Sequence, residues 1–198
     1  MTIKAYSRCL TIMYTYPDKI ICVTCRSLCP RPLEQQVERI AEAGVKRLIL
    51  REKDLSQEEY TRLAAAVLEQ CRLYGIECIL HSFPEAARAL GVKKLHMPLP
   101  MLTEALCNEF EVTGTSAHSV EEAVRAERLG ASYVTAGHIF ATDCKKGVPP
   151  RGLDFLKAVC SSVNIPVYAI GGINGDNINS VLNAGASVAC IMSGLMTI

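Results

Sequence analysis

Residues 119–136 read SVEEAVRAERLGASYVTA, running from Ser119 through Leu129-Gly130-Ala131 to Ala136. Ser119 followed three residues later by Glu122 is a capping-box start, with the hydroxyl facing the exposed amides of a helix. The amphipathic run closes at Gly130, where a left-handed residue ends a helix without a β-carbon clash. The stretch 133–136 is a short apolar run of strand length. Helix, glycine, strand is one αβ unit, and such units in series feed a parallel sheet.

The same punctuation recurs at Ala43-Gly44-Val45, Tyr74-Gly75-Ile76, Leu90-Gly91-Val92 and Ala184-Gly185-Ala186. Strands are expected at 20–24, 47–50, 77–80, 94–96, 112–114, 133–136, 166–170 and 187–191. Helical patterns fall between them near 33–43, 56–73, 84–89, 101–109, 119–129, 152–162 and 175–184, and Leu55-Ser56-Gln57-Glu58-Glu59 is another capped start. Eight strands and seven helices fit an α/β fold of the (β/α)8 TIM-barrel type. A doubly wound sheet usually carries a Gly-rich turn after its first strand, but Cys25-Arg26-Ser27-Leu28-Cys29 has no glycine. The expected organisation is a single barrel domain over 19–198, its last helix missing or very short, preceded by an extension over 1–18 of unassigned role.

Composition narrows the function classes. Hydrophobic residues at 49% supply a core, and 21 Lys and Arg against 20 Asp and Glu leave a net charge of +1. That balance makes no case for nucleic acid or an anionic membrane as partner. No apolar run approaches the roughly 18 residues of a membrane span, and no secretory signal pattern opens the chain. The ten cysteines are below scaffold density, so the expected setting is a reduced, cytoplasmic one with most thiols in the core. Cys22-x2-Cys25-x3-Cys29 has metal-ligand spacing, but no second nearby pair completes a set. Barrels of this size often pair, so a homo-oligomer is an expectation.

In such barrels chemistry sits at the carboxyl ends of the strands. His81, His96, His118 and His138 are all expected there. His81 and His96 end apolar strands and read as rim residues, and His118 precedes a helix cap. His138 stands in Gly137-His138-Ile139-Phe140, after a strand and before a polar loop, where an imidazole suits proton transfer near neutrality. Arg51-Glu52-Lys53-Asp54 follows the second strand, while Lys145, Lys146 and Arg151 follow the sixth, Lys146 reading as a solvated surface charge. Cations at strand ends suit an anionic substrate. Gly171-Gly172 and Ser193-Gly194 follow the last two strands, where barrels often bind phosphate through backbone amides. The residues alone thus point to a small phosphorylated anion and proton transfer.

Three ordered motifs carry a resemblance over roughly residues 20–195: Leu50-Arg51-Glu52-Lys53-Asp54-Leu55, Ala169-Ile170-Gly171-Gly172-Ile173 and Met192-Ser193-Gly194. Together they resemble the thiamine phosphate synthase superfamily. The stretch Gly137-His138-Ile139-Phe140-Ala141-Thr142-Asp143-Cys144-Lys145-Lys146-Gly147 is similar to its TenI branch of thiazole tautomerases. The resemblance implies a (β/α)8 barrel that aromatises a 2-carboxythiazole phosphate in thiamine synthesis, with His138 as base and no metal or organic cofactor. It also implies substrate contacts at Arg51, Lys53, Ser116, Thr142, Lys145, Gly172, Met192, Ser193 and Gly194, with Gly172, Met192, Ser193 and Gly194 around the phosphate.

Departures from the synthases point the same way. Those enzymes carry Asn-Asp after the third strand, where this chain has His81-Ser82. They carry Gly-Gln and then Asp after the fourth, where this chain has Met97-Pro98-Leu99-Pro100. Mg²⁺ requires oxygen ligands, and neither replacement offers a carboxylate. The alternatives are the Mg²⁺-dependent synthase itself, a non-catalytic phosphate-binding paralogue and, more remotely, a zinc site made from the four histidines.

Overall fold

The computed structural model describes residues 17–145 and 147–198. Of the expected extension over 1–18, all but Pro17 and Asp18 lies outside the described residues. A single 3-10 turn, Pro17–Lys19, leads into β1 (Ile20–Val23), α1 (Leu33–Glu42), β2 (Arg47–Leu50), α2 (Gln57–Tyr74), β3 (Glu77–His81), α3 (Pro84–Ala89) and β4 (Lys94–Pro98). The chain continues through α4 (Glu104–Glu109), β5 (Val112–Ala117), α5 (Val120–Arg128), β6 (Tyr133–Gly137), α6 (Gly152–Ser162), β7 (Val167–Ile170), α7 (Ile178–Asn183), β8 (Val188–Ile191) and α8 (Ser193–Met196). The strands follow one another in sequence order and close into a TIM-type α/β barrel. The final helix is present and only four residues long.

All five glycines that punctuate the sequence adopt positive φ: 83° at Gly44, 67° at Gly75, 67° at Gly91, 88° at Gly130 and 104° at Gly185. Each sets the turn that returns the chain from a helix to the next strand. Ser56 caps α2 with the full reciprocal capping box. Ser119 caps α5 by accepting from the Glu122 amide, but the Glu122 carboxylate accepts from the His118 amide. The expected capping box is therefore half made, because His118 takes the carboxylate.

The barrel comprises two compact units, one reaching to Leu95 together with Ile191–Ile198, the other His96–Cys190. In the first, the four residues of β1 are all buried, as are Leu48, Ile49 and Leu50 of β2. Burial of consecutive residues is the mark of a parallel strand covered on both faces. Leu33, Val37 and Ile40 of α1 and Tyr60, Ala64, Val67 and Cys71 of α2 form the buried stripes of two neighbouring helices. Each fully buried Leu or Ile contributes roughly 1.5–3 kcal/mol. β2 pairs with β3 in the register Arg47↔Glu77 through Leu50↔Leu80.

In the second unit β5 pairs with β6 (Gly114↔Tyr133, Ser116↔Thr135), β6 with β7 (Gly137↔Ile170) and β7 with β8 (Ile170↔Cys190). A β-carbon on Gly114 would lie 2.0 Å from Cζ of Tyr133, so glycine is what admits that ring. Tyr133 stacks on Tyr168 with centroids 4.3 Å apart.

Four strands outrun their expected ends, β3 and β6 by one residue and β4 and β5 by more. β5 continues to Ala117, and β4 runs to Pro98, which makes His96 a buried mid-strand residue and not a strand end. α4 starts at Glu104 because Leu99–Met101 forms a 3-10 turn and Thr103 supplies the cap. Among the described residues every cysteine is a free thiol, and no helix is long and apolar enough to cross a membrane.

Candidate functional site

His138 follows β6 directly, as its sequence position predicts, and the peptide bond joining it to Gly137 is cis. The ladder to β7 continues past the strand, with the Ile139 amide donating to the Ile170 carbonyl and the Phe140 amide to the Gly171 carbonyl, both at 3.0 Å. The loop that follows is closed at its base, where the Arg151 amide donates to the His138 carbonyl and the Gly152 amide to the Ile139 carbonyl. The imidazole is buried, and its Nε2 lies 3.2 Å from the Val148 carbonyl oxygen. A carbonyl only accepts, so Nε2 carries the hydrogen and, in the neutral ring, Nδ1 carries the lone pair.

Gly171 and Gly172 have φ of 104° and 66°. A β-carbon on Gly171 would meet the His138 β-carbon at 2.3 Å, and one on Gly172 would meet the Ala141 carbonyl oxygen at 2.4 Å. These glycines are required by the packing of the β6 loop, whatever they bind. The Gly172 carbonyl accepts from Nδ2 of Asn177 at 2.9 Å.

Thr142 and Lys145 stand on that loop; the Lys145 amide donates to the Thr142 carbonyl at 3.1 Å, and the lysine is exposed. Lys146 lies outside the described residues. Arg151 places its guanidinium over the Phe155 ring, 5.2 Å from the centroid, which gives this strand-end cation a packing role. His118 is half-exposed. Burial holds its pKa below the ordinary value, the charges of Lys145, Arg151 and His138 push the same way, and Glu122 opposes them.

Ser116, near the end of β5, is half-buried; its Oγ lies 3.0 Å from His96 Nε2 and accepts from the Thr135 hydroxyl at 3.0 Å. The other ring nitrogen of His96 is 3.0 Å from the Tyr133 hydroxyl.

The first unit carries the remaining cations. The Arg51 amide donates to Thr24 Oγ1 at 2.8 Å, and the Lys53 side chain is exposed. Between them Glu52 is almost wholly buried. Its carboxylate accepts from the Thr24 hydroxyl at 2.7 Å, from the Arg26 amide at 3.0 and 3.2 Å, and from the Arg26 guanidinium at 3.1 Å. The same guanidinium pairs with Asp54. Glu52 and Asp54 thus serve Arg26 and join the loops after β1 and β2. Nothing in the sequence marks Arg26 or Thr24 as a site residue; the one signal is a glutamate between two cations. Of the other expected contacts, Met192 and Gly194 are partly buried and Ser193 is exposed, at the head of α8.

His81 ends β3. Its amide donates to the Tyr60 hydroxyl at 2.9 Å, that hydroxyl donates to the Leu50 carbonyl at 2.7 Å, and its Nδ1 lies 2.6 Å from Ser82 Oγ. Ser82 has φ of 68°, a left-handed conformation that non-glycine residues seldom adopt. Cys29 Sγ lies 3.4 Å from Met196 Sδ, while Cys22 is buried within β1. Among the described residues no group of three or more His, Cys, Asp or Glu side chains converges to hold a metal.

The model of the family described as thiamine monophosphate synthase matches residues 20–195. The chain belongs to that family. A thiamine-phosphate synthase of Fusobacterium nucleatum is 33% identical over 90% of this chain and 89% of its own length. One from Clostridium acetobutylicum is 35% identical over 90% and 87%. Among solved structures, thiamine phosphate pyrophosphorylase from Pyrococcus furiosus superposes with a TM-score of 0.79 at 30% identity, covering 90% and 87% of the two chains. An N-acetylmannosamine-6-phosphate 2-epimerase from Clostridium perfringens, at 11% identity and a TM-score of 0.67, shares the fold alone. The family is one of enzymes in thiamine biosynthesis, and the relatives at this identity are named as transferases rather than isomerases.

The resemblance implies that the synthases hold Mg²⁺ on carboxylates near the ends of their third and fourth strands. Here those places hold Ser82, hydrogen-bonded to His81, and the apolar run Met97-Pro98-Leu99-Pro100. A hard dication requires several oxygen ligands, preferably anionic, and these residues do not fit it.

Proposed function

We propose that the protein is a thiazole tautomerase, an isomerase that aromatises the tautomer of a 2-carboxy-4-methylthiazole ethyl phosphate. The observation that carries this reading is the His138 imidazole, at the end of β6 with Nε2 engaged by the Val148 carbonyl. Neutral His138 then takes the C2 proton of the substrate on Nδ1, a proton acidified by the adjacent sulfur and imine. The electron pair moves into the ring, and the imidazolium, directly or through water, returns a proton to the exocyclic carbon. One proton leaves C2 and one arrives at the exocyclic carbon, so the sum is an isomerisation.

Ser116, Thr142, Lys145 and Gly172 are proposed to contact the substrate. Arg51, Lys53, Met192, Ser193 and Gly194 enter through the family resemblance, the first two toward the carboxylate and the last three, with Gly172, around the phosphate. The proposed chemistry needs no cofactor; its partner is the phosphorylated thiazole, and its setting is cytoplasmic.

A second reading has its own support. The relatives' names favour the Mg²⁺-dependent transferase that couples a pyrimidine pyrophosphate to a thiazole phosphate. The donor chemistry after β3 and β4 favours the tautomerase.

The test is a single-turnover proton NMR assay of the thiazole tautomer without metal, on wild type and His138→Gln, beside a coupling assay with Mg²⁺. Aromatisation by wild type, lost in the variant, supports the tautomerase. Coupling without tautomerisation overturns it in favour of the transferase. Saturable binding of the thiazole phosphate with neither turnover overturns both and leaves a binding paralogue.

A further inference from the structure

A buried chain of polar groups crosses the second unit and ends on one of the proposed contacts. The Tyr133 hydroxyl lies 3.0 Å from His96 Nδ1, and across the imidazole ring His96 Nε2 lies 3.0 Å from Ser116 Oγ, which in turn lies 3.0 Å from Thr135 Oγ1. Tyr133 and His96 are almost fully buried, Thr135 is buried, and Ser116 is half-exposed at the second-last position of β5. The Tyr133 ring is fixed by the stack on Tyr168 and by the slot above Gly114, so its hydroxyl keeps its place beside His96.

The hydrogens in this chain have a direction. A neutral imidazole donates from one nitrogen and accepts at the other. A phenol, with an ordinary pKa near 10, is a far stronger acid than a neutral imidazole N–H, so Tyr133 donates to Nδ1. The imidazole hydrogen then resides on Nε2 and is donated to Ser116 Oγ. Thr135 also donates to Ser116 Oγ, because its other acceptor, the Thr115 carbonyl, is more distant at 3.5 Å. Ser116 Oγ accepts twice, and its own hydrogen remains to be given away.

We propose that His96 is a positioning residue that makes Ser116 a hydrogen-bond donor toward a ligand atom without a hydrogen, an anionic oxygen or a ring nitrogen. In the opposite tautomer Ser116 would spend its hydrogen on His96 and offer a ligand only a lone pair. Tyr133, through His96, thereby sets what kind of atom Ser116 recognises.

The proposal rests on the preceding reading only for its kinetic arm; the spectroscopic arm needs no substrate. The intact protein is labelled with ¹⁵N-histidine and its imidazoles are observed by long-range proton–nitrogen correlation. His96→Gln assigns the His96 signals, and Ser116→Ala assigns them if that variant does not fold. The expected result is the Nε2–H tautomer in wild type and its loss or mixing in Tyr133→Phe, which keeps the ring stack. An Nδ1–H tautomer in wild type, or an unchanged one in Tyr133→Phe, overturns the proposal.

In the kinetic arm, Ser116→Ala raises KM about three- to tenfold for whichever reaction the wild type performs, and Tyr133→Phe does so through the same bond. The double variant is then no worse than Ser116→Ala alone, since both act on one hydrogen. Additive losses count against the proposal. Should wild type turn over neither substrate, the function reading fails and the tautomer assignment alone decides.

Discussion

A β-carbon placed on Gly171 stands 2.3 Å from the β-carbon of His138, well inside any real contact between such atoms. The glycine after β7 therefore fixes where the histidine after β6 sits. Gly171→Ala combines this clash with a φ of 104°, whereas Gly91→Ala has a φ of 67° and open space around the new carbon. Gly91→Ala is expected to cost about 1 kcal/mol by strain alone. Gly171→Ala is expected to cost about 3 kcal/mol, as strain and overpacking add, and to lower turnover by displacing His138. Urea denaturation of both variants checks the first claim, and turnover per folded molecule checks the second.

His118 supplies a pH-dependent element. Burial above all holds its pKa below the ordinary histidine value; Glu122 opposes it, and the weaker charges of Lys145, Arg151 and His138 push the same way as burial. The unfolded chain therefore binds a proton near pH 6.5 that the folded chain resists. Stability falls as pH drops from that value through the lower folded one, and above it His118 adds no slope. Wild type is expected to lose more stability than His118→Gln between pH 7.5 and 5.5, measured by urea midpoints. Parallel curves for the two proteins would contradict the assignment.

Five glycines in the sequence predicted five left-handed turns because each physical cause was local: a helix had to end and a strand to begin within a few residues. His138 was legible for the same reason, since it follows an apolar run directly. Its acceptor was not, because Val148 is ten residues away and the loop must fold to bring its carbonyl round. His96 reads from sequence as a strand end, yet β4 continues to Pro98. The pairing of Arg26 with Glu52 was hidden too. These residues are 26 positions apart, and β1 must lie beside β2 before their loops meet.

That hidden pair should dominate the stability of the loops it joins. Glu52 is almost wholly buried, and its carboxylate receives the Thr24 hydroxyl and both the amide and the guanidinium of Arg26. Glu52→Ala leaves a buried hydroxyl and an amide without their acceptor and a cation short of one partner. A loss of about 3 kcal/mol is expected. Arg26→Ala is expected to cost less, because the arginine side chain is partly exposed and the Thr24 and amide bonds to Glu52 survive. Chemical denaturation of the two variants orders them, and an equal or reversed order would mean that the carboxylate is not the anchor.

The last prediction concerns Cys29. Burial, reinforced by the nearby Glu52 and Cys25, pushes its thiol pKa up to about 11. The thiolate is the reactive form, so at pH 7.5 only a trace of Cys29 is available to an alkylating reagent. Because the anion is what burial disfavours, the reactive fraction rises with pH and becomes large only as pH nears 11. A short iodoacetamide pulse at a series of pH values, read by peptide mass spectrometry, should find the exposed Cys144 modified at neutral pH while Cys29 stays protected. Glu52→Gln removes one of the charges that raise the Cys29 pKa, so the Cys29 curve should move to lower pH in that variant. A Cys29 curve that does not move would mean that the thiol is held protonated without Glu52, which would then act on Arg26 and Thr24 but not on the sulfur.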